Sequence, residues 1–105
     1  MLASVTVPDP TTIDRERLAS LCRRHGIRRL SLFGSALRGE LGPGSDLDVL
    51  VEFQPGARVG LRFIVLQDEL ADLFGRPVDL NTPSFLSRHF RERALHEART
   101  LYEAA

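Results

Sequence analysis

The sequence predicts an α/β fold, a small sheet with helices packed against it, and three observations carry that expectation. Short apolar, β-branched runs alternate with stretches whose apolar residues recur at helical spacing. Glycine and proline punctuate the boundaries, at Gly26, Gly34, Gly42-Pro43-Gly44 and Gly75-Arg76-Pro77. Residues 46–81 have the form of a strand–helix–strand unit, whose right-handed crossover would lay its two strands in one sheet. At 105 residues the chain is long enough for one domain with a real core and too short for a second.

The elements follow in order. Residues 1–10, with Pro8 and Pro10, read as a tail, and the domain occupies 11–105. Thr11 or Thr12 is the expected N-cap of a helix running to about His25, with Leu18, Leu21, Cys22 and His25 on one face and Gly26 as its stop. His25, at the helix end, is expected to contact the last carbonyls. Residues 27–33 form a strand closed by Gly34-Ser35, residues 36–40 a single helical turn, and 42–44 a loop. Residues 46–53 make the second strand, and 54–60, containing Pro55, Gly56 and Gly60, a connection. Phe63, Leu66, Leu70 and Leu73 mark a core-facing helix ended at 75–77. Residues 78–81 are a third strand, after which Thr82-Pro83-Ser84 leads into a last helix with Phe90, Ala94, Ala98, Leu101 and Tyr102 on one face. The expected order is helix, strand, strand, helix, strand, helix.

Composition removes several function classes. Fourteen basic residues balance fourteen acidic ones, and a net charge of zero with a pI near 6.8 lacks the basic excess on which strong nucleic-acid binding rests. All fourteen basic residues are Arg, so no lysine serves as nucleophile or phosphate ligand. Cys22 is the sole cysteine, which excludes an intrachain disulfide and fits a reducing compartment; it reads as a small buried residue of the first helix. With no membrane-length apolar stretch and no secretory signal, a soluble cytoplasmic protein is expected.

The chemistry concentrates in two motifs. Gly34-Ser35 ends a strand in a turn whose backbone N–H groups and hydroxyl suit phosphate oxygens, glycine allowing close approach. Asp46 and Asp48 open the strand that continues Val49-Leu50-Val51, and alternation sends both to one face. Two adjacent carboxylates resist double ionisation unless a cation lies between them, and hard oxygen ligands suit Mg²⁺ carrying a triphosphate. Either motif alone is commonly a solvated turn. Together, a phosphate cradle beside a metal clamp is what phosphoryl or nucleotidyl transfer requires. Asp79 interrupts an otherwise apolar third strand and joins the same cleft if the register allows.

Gly34-Ser35, Asp46-x-Asp48 and Asp79, with the runs at 31–39, 45–51, 66–70, 75–80, 91–95 and 101–103, resemble the DNA polymerase beta-like nucleotidyltransferase superfamily, and within it the minimal nucleotidyltransferase group, often antitoxins of HEPN ribonuclease toxins. Leu37 departs from the alanine often found there. The resemblance implies a small mixed sheet flanked by helices. It implies that Asp46, Asp48 and Asp79 hold two Mg²⁺ ions, that Gly34 and Ser35 bind the β and γ phosphates of ATP, and that Ser45 steadies the carboxylates. Asp79 would also help accept the proton of the attacking hydroxyl. Arg38 has two readings, a phosphate contact or a structural partner for an acid such as Glu40. The implied activity is transfer of AMP to a tyrosine of a HEPN toxin with release of pyrophosphate. Two alternatives stand beside it: an antitoxin that acts by masking its partner without catalysis, and transfer to a small molecule, for which relatives use an additional acceptor domain.

Overall fold

The structure, a computed structural model, describes residues 13–34, 46–86 and 88–104. Its elements are α1 (Arg15–Arg24), β1 (Ile27–Leu32), β2 (Leu47–Phe53), α2 (Arg62–Phe74), β3 (Val78–Asn81), a 3₁₀ turn (Pro83–Phe85), α3 (Arg88–Glu97) and β4 (Arg99–Glu103). The expected tail at 1–10, the turn at 36–40 and the loop at 42–44 lie outside the described residues.

The four strands form one mixed sheet in the order β3-β2-β1-β4. β1 pairs antiparallel with both β2 and β4, while β2 and β3 run parallel. The α+β class and the adjacency of β2 and β3 are as the sequence implies. The two faces of the sheet are covered unequally. Leu18, Leu21 and Cys22 of α1 and Leu66, Leu70 and Phe74 of α2 pack with Leu30, Leu32, Leu47, Val49 and Leu80 into the main core. On the opposite face a smaller cluster joins Phe33 and Leu50 to Ala94 of α3. Among the described residues no helix is long and apolar enough to cross a membrane.

Asp14, not Thr11 or Thr12, caps α1, its carboxylate accepting the N–H groups of Glu16 (3.0 Å) and Arg17 (3.2 Å). An aspartate one residue ahead of the first turn satisfies orphan donors and opposes the positive end of the helix dipole. α2 ends as expected, with Gly75 left-handed at φ 71° and its N–H donated to the Ala71 carbonyl at 2.8 Å. His25 is a correction. Its backbone N–H does donate to the Leu21 carbonyl at 3.2 Å, but its side chain leaves its own helix, with Nε2 2.6 Å from Oε1 of Glu69 on α2.

The larger correction concerns the last helix, which stops at Glu97. Ala94 and Ala98 belong to the small cluster, whereas Leu101 belongs to the main core on the other side of the sheet. One continuous helix cannot serve both faces. Arg99–Glu103 instead completes the free edge of β1, pairing Thr100 with Ser31 and Tyr102 with Leu30. Thr and Tyr suit a pleated ladder, and closure of an exposed sheet edge outweighs the helical spacing.

Candidate active site

The site begins with strand register. Parallel pairing of β2 and β3 sets Leu47 beside Val78, Asp48 beside Asp79, Val49 beside Leu80 and Leu50 beside Asn81. Leu47, Val49, Val78 and Leu80 are buried in the main core, so alternation sends Asp48 and Asp79 to the opposite face. Neighbouring strands stand about 4.8 Å apart, so the two carboxylates rise side by side. Gln67 of α2 fixes β3 by accepting the Leu80 N–H at 3.1 Å.

On that face the small cluster covers Leu50 but stops short of the Asp48–Asp79 pair. What remains is a cleft of about 240 Å³ lined by Phe33, Gly34, Asp48, Asp79, Asn81, Leu86 and Phe90. Gly34 closes over Asp48. Its φ is +75°, and a Cβ there would collide with Asp48 Oδ2 and stand 3.2 Å from Cγ. The Phe33 N–H donates to the Asp48 carbonyl at 3.1 Å, so the turn is tied to the strand it overhangs. Only glycine permits this left-handed approach at so short a separation.

The electrostatics follow from the lining. Its ionisable members among the described residues are the two carboxylates, and a free triphosphate would meet like charge there. A paired-carboxylate donor set fits Mg²⁺, which is held by one or two carboxylates and takes the rest of its shell from phosphate and water. Among the described residues no group of three His, Cys, Asp or Glu side chains closes on a single cation position. Asp46 stands one residue ahead of β2, two from Asp48, and is exposed, outside the cleft lining. The structure therefore brings together Gly34, Asp48 and Asp79. Ser35, Arg38 and Ser45 lie outside the described residues.

Four lining residues went unnoticed in the sequence as candidates for the site, among them Phe33, which the sequence marked only as the end of the first strand. Asn81 lies two positions beyond Asp79 and could have been found by strand alternation. Leu86 and Phe90 carry no such signal, because their place depends on the 3₁₀ turn that folds α3 back over the sheet. A broader depression of about 560 Å³, lined by Arg24, His25, Arg62, Val65 and Glu69, lacks the paired donors of the cleft. Its single carboxylate, Glu69, is already held by His25 and Arg24. Cys22 is fully buried and desolvation pushes its thiol up to about 12, so it is a packing residue and not a nucleophile.

A mixed sheet that presents two carboxylates on adjacent parallel strands, overhung by a glycine turn, defines a nucleotide-transferring α+β domain. The chain belongs to the nucleotidyltransferase domain family, whose sequence pattern spans residues 15–102. The protein adenylyltransferase MntA of Thermococcus cleftensis is 34% identical over 96 residues, covering 91% of this chain and 96% of its own. A solved structure described as a minimal nucleotidyltransferase is 42% identical and superimposes with a TM-score of 0.69, covering 81% of this chain and 86% of the other. The fold is shared, at 18% identity and a TM-score of 0.60, with a complex of a tri-AMPylated HEPN toxin from Shewanella oneidensis and an MNT antitoxin, over 86% of this chain and 70% of that one. The resemblance read from the motifs is thus borne out, and the protein is a nucleotidyltransferase of the minimal group.

Proposed function

We propose that this enzyme transfers AMP from ATP to a tyrosine hydroxyl of a HEPN-type partner, which it thereby neutralises as an antitoxin. The observation that carries the reading is the side-by-side placement of Asp48 and Asp79 beneath the Gly34 turn. In the reaction the tyrosine oxygen attacks the α phosphorus, the bond from that phosphorus to the bridging oxygen breaks, and pyrophosphate leaves with the electron pair. Asp79 takes the phenolic proton. Gly34 and Ser35 hold the β and γ phosphates, and Ser45 orients the carboxylates. Arg38 contacts phosphate or pairs with an acid such as Glu40. Asp46, Asp48 and Asp79 would hold two Mg²⁺ ions, which when bound neutralise the triphosphate and stabilise the attacking and leaving oxygens. Support for the acceptor comes from the relative named as a protein adenylyltransferase and from the AMPylated toxin complex that shares the fold.

The test is a mass measurement on a purified HEPN-type partner incubated with this protein, ATP and Mg²⁺. A gain of one or more AMP units is expected, and Asp48→Ala should slow the gain at least about a hundredfold without loss of fold, since it removes transition-state stabilisation rather than packing. Full neutralisation of the partner with no mass gain, and with Asp48→Ala equally effective, would establish masking instead.

A further inference from the structure

Gly34, Asp48 and Asp79 stand in a row across the sheet, since the turn after β1 closes over Asp48 on β2 and Asp79 lies beyond it on β3. In an in-line displacement the attacking and leaving oxygens lie on opposite sides of the phosphorus. With pyrophosphate at the Gly34 turn, β3 is the side of the attacking hydroxyl. Asn81 is the next residue of that strand to face the cleft.

Packing alone would favour an apolar residue there. The register sets Asn81 beside Leu50, which is buried in the small cluster, and a β-branched side chain would suit that place on the strand. The amide is half-buried and held at one end. Its Nδ2 donates to the Asp79 backbone carbonyl at 3.3 Å, and because a carbonyl only accepts, the bond fixes which end of the amide is nitrogen. Among the described residues the second N–H of Nδ2 and the Oδ1 acceptor have no hydrogen-bond partner. Residues two apart on a strand face stand about 6.6 Å apart, a gap that one oxygen bridges when hydrogen-bonded to both side chains.

We infer that Asn81 donates its second N–H to the attacking oxygen of the acceptor tyrosine while Asp79 takes the proton, so that the two side chains hold the phenolic oxygen between them. The inference rests on the adenylyl-transfer reading above. The covalent step is unchanged: the phenolic O–H bond breaks and its proton passes to the Asp79 carboxylate, the oxygen bonds to the α phosphorus, and pyrophosphate leaves with the electron pair of the broken bond. The amide addresses a mismatch in that step. A carboxylate is a far weaker base than a phenolate, so the transfer is eased where the negative charge developing on the oxygen meets a donor. A hydrogen bond to a charged oxygen is roughly twice as strong as one to a neutral oxygen, which puts the contribution of Asn81 in the transition state.

The experiment measures AMP transfer to a purified HEPN-type partner by the wild type, Asn81→Val and Asn81→Asp, and in parallel the calorimetric affinity of the wild type and Asn81→Val for a non-hydrolysable α,β-methylene ATP analogue with Mg²⁺. Asn81→Val, whose side chain suits a strand, and Asn81→Asp, which keeps the shape and removes the donor, should each lower kcat about tenfold or more, with the partner KM within about threefold of wild type. Analogue affinity of Asn81→Val should stay within about twofold, and equal melting temperatures would verify its fold. A partner carrying a fluorinated tyrosine, whose phenol gives up its proton more readily, should recover at least about threefold of the Asn81→Val deficit, a rescue that a merely structural amide would not allow. Loss of analogue affinity in Asn81→Val would assign the amide to the nucleotide and overturn the inference alone, as would wild-type kcat in either variant or a deficit that the fluorinated partner leaves unchanged. No AMP transfer by the wild type would overturn the underlying reading and this inference with it.

Discussion

Gly34 stands where a methyl group has no room, and two separate costs meet there. The left-handed backbone at φ +75° costs a non-glycine residue about 1–2 kcal/mol, and a Cβ would also displace the Asp48 carboxylate. Gly34→Ala should therefore lower stability by at least about 1–2 kcal/mol in denaturant titrations, and it should depress AMP transfer far more than that loss explains. Retained turnover in a destabilised variant would show that the carboxylate tolerates displacement. At this scale the sequence was informative wherever a residue broke its local pattern. Glycine at a strand end and aspartates within apolar strands are each unfavourable without a purpose, and Gly34, Asp48 and Asp79 meet in the cleft as those departures suggested. Phe90 broke no pattern. An aromatic at helical spacing reads as core, and only the packing of α3 reveals that its ring lines a cleft.

The helices and strands were legible where the local apolar pattern coincides with burial. Of the face expected for α2, Leu66 and Leu70 are in the core and Phe63 and Leu73 pack partly buried against it, with Phe74 an unexpected third core residue; Gly75 is its stop, and β3 falls on residues 78–81. α3 and β4 were fused in the reading of the sequence because Ala94, Ala98, Leu101 and Tyr102 fit a helical spacing, while the open edge of β1 that claims residues 99–103 is a long-range fact. Contacts between elements were hidden for the same reason. His25 and Arg24 at the end of α1 reach Glu69 of α2 at 2.6 and 3.3 Å, and the His25 hydrogen bond, aided by Arg24, holds the Glu69 carboxyl below its ordinary value of 4.5. A depressed carboxyl stabilises the fold above its unfolded pKa, and that contribution is lost as pH falls through the folded value. Thermal melts of the wild type and Glu69→Gln should therefore differ at neutral pH and converge as the pH falls through the folded value of Glu69. A gap that persists unchanged at low pH would mean that the α1–α2 contact is held by packing alone.

For the whole molecule, the sheet order places the reactive pair at the β2–β3 side and the chain's final strand at the far edge. The cleft is thus assembled by β1, β2 and β3 and roofed by α3, and ligand binding there should be linked to the stability of the entire domain. ATP with Mg²⁺ at a hundred times its Kd should stabilise the protein by about 2.7 kcal/mol, a rise of several degrees in Tm, and chelation by EDTA should remove most of the rise because the carboxylates then oppose the triphosphate. An ATP shift that survives EDTA in full would argue against a cation at the pair. Neutral overall charge was read from composition alone, but the concentration of acid at one end of the sheet was not, because it arises from register. The β4 strand has a further consequence for synthesis of the protein. Arg29 pairs with Glu103, so the ribosome must pass residue 103 before the outer edge of β1 finds its partner and Leu101 enters the core. Until then the nascent chain carries every residue of the cleft together with an unprotected edge, the kind of surface that recruits other strands. Translation that stalls within α3 would release a polypeptide with its chemistry encoded and its sheet unsealed, a target for chaperones and proteases before it could act.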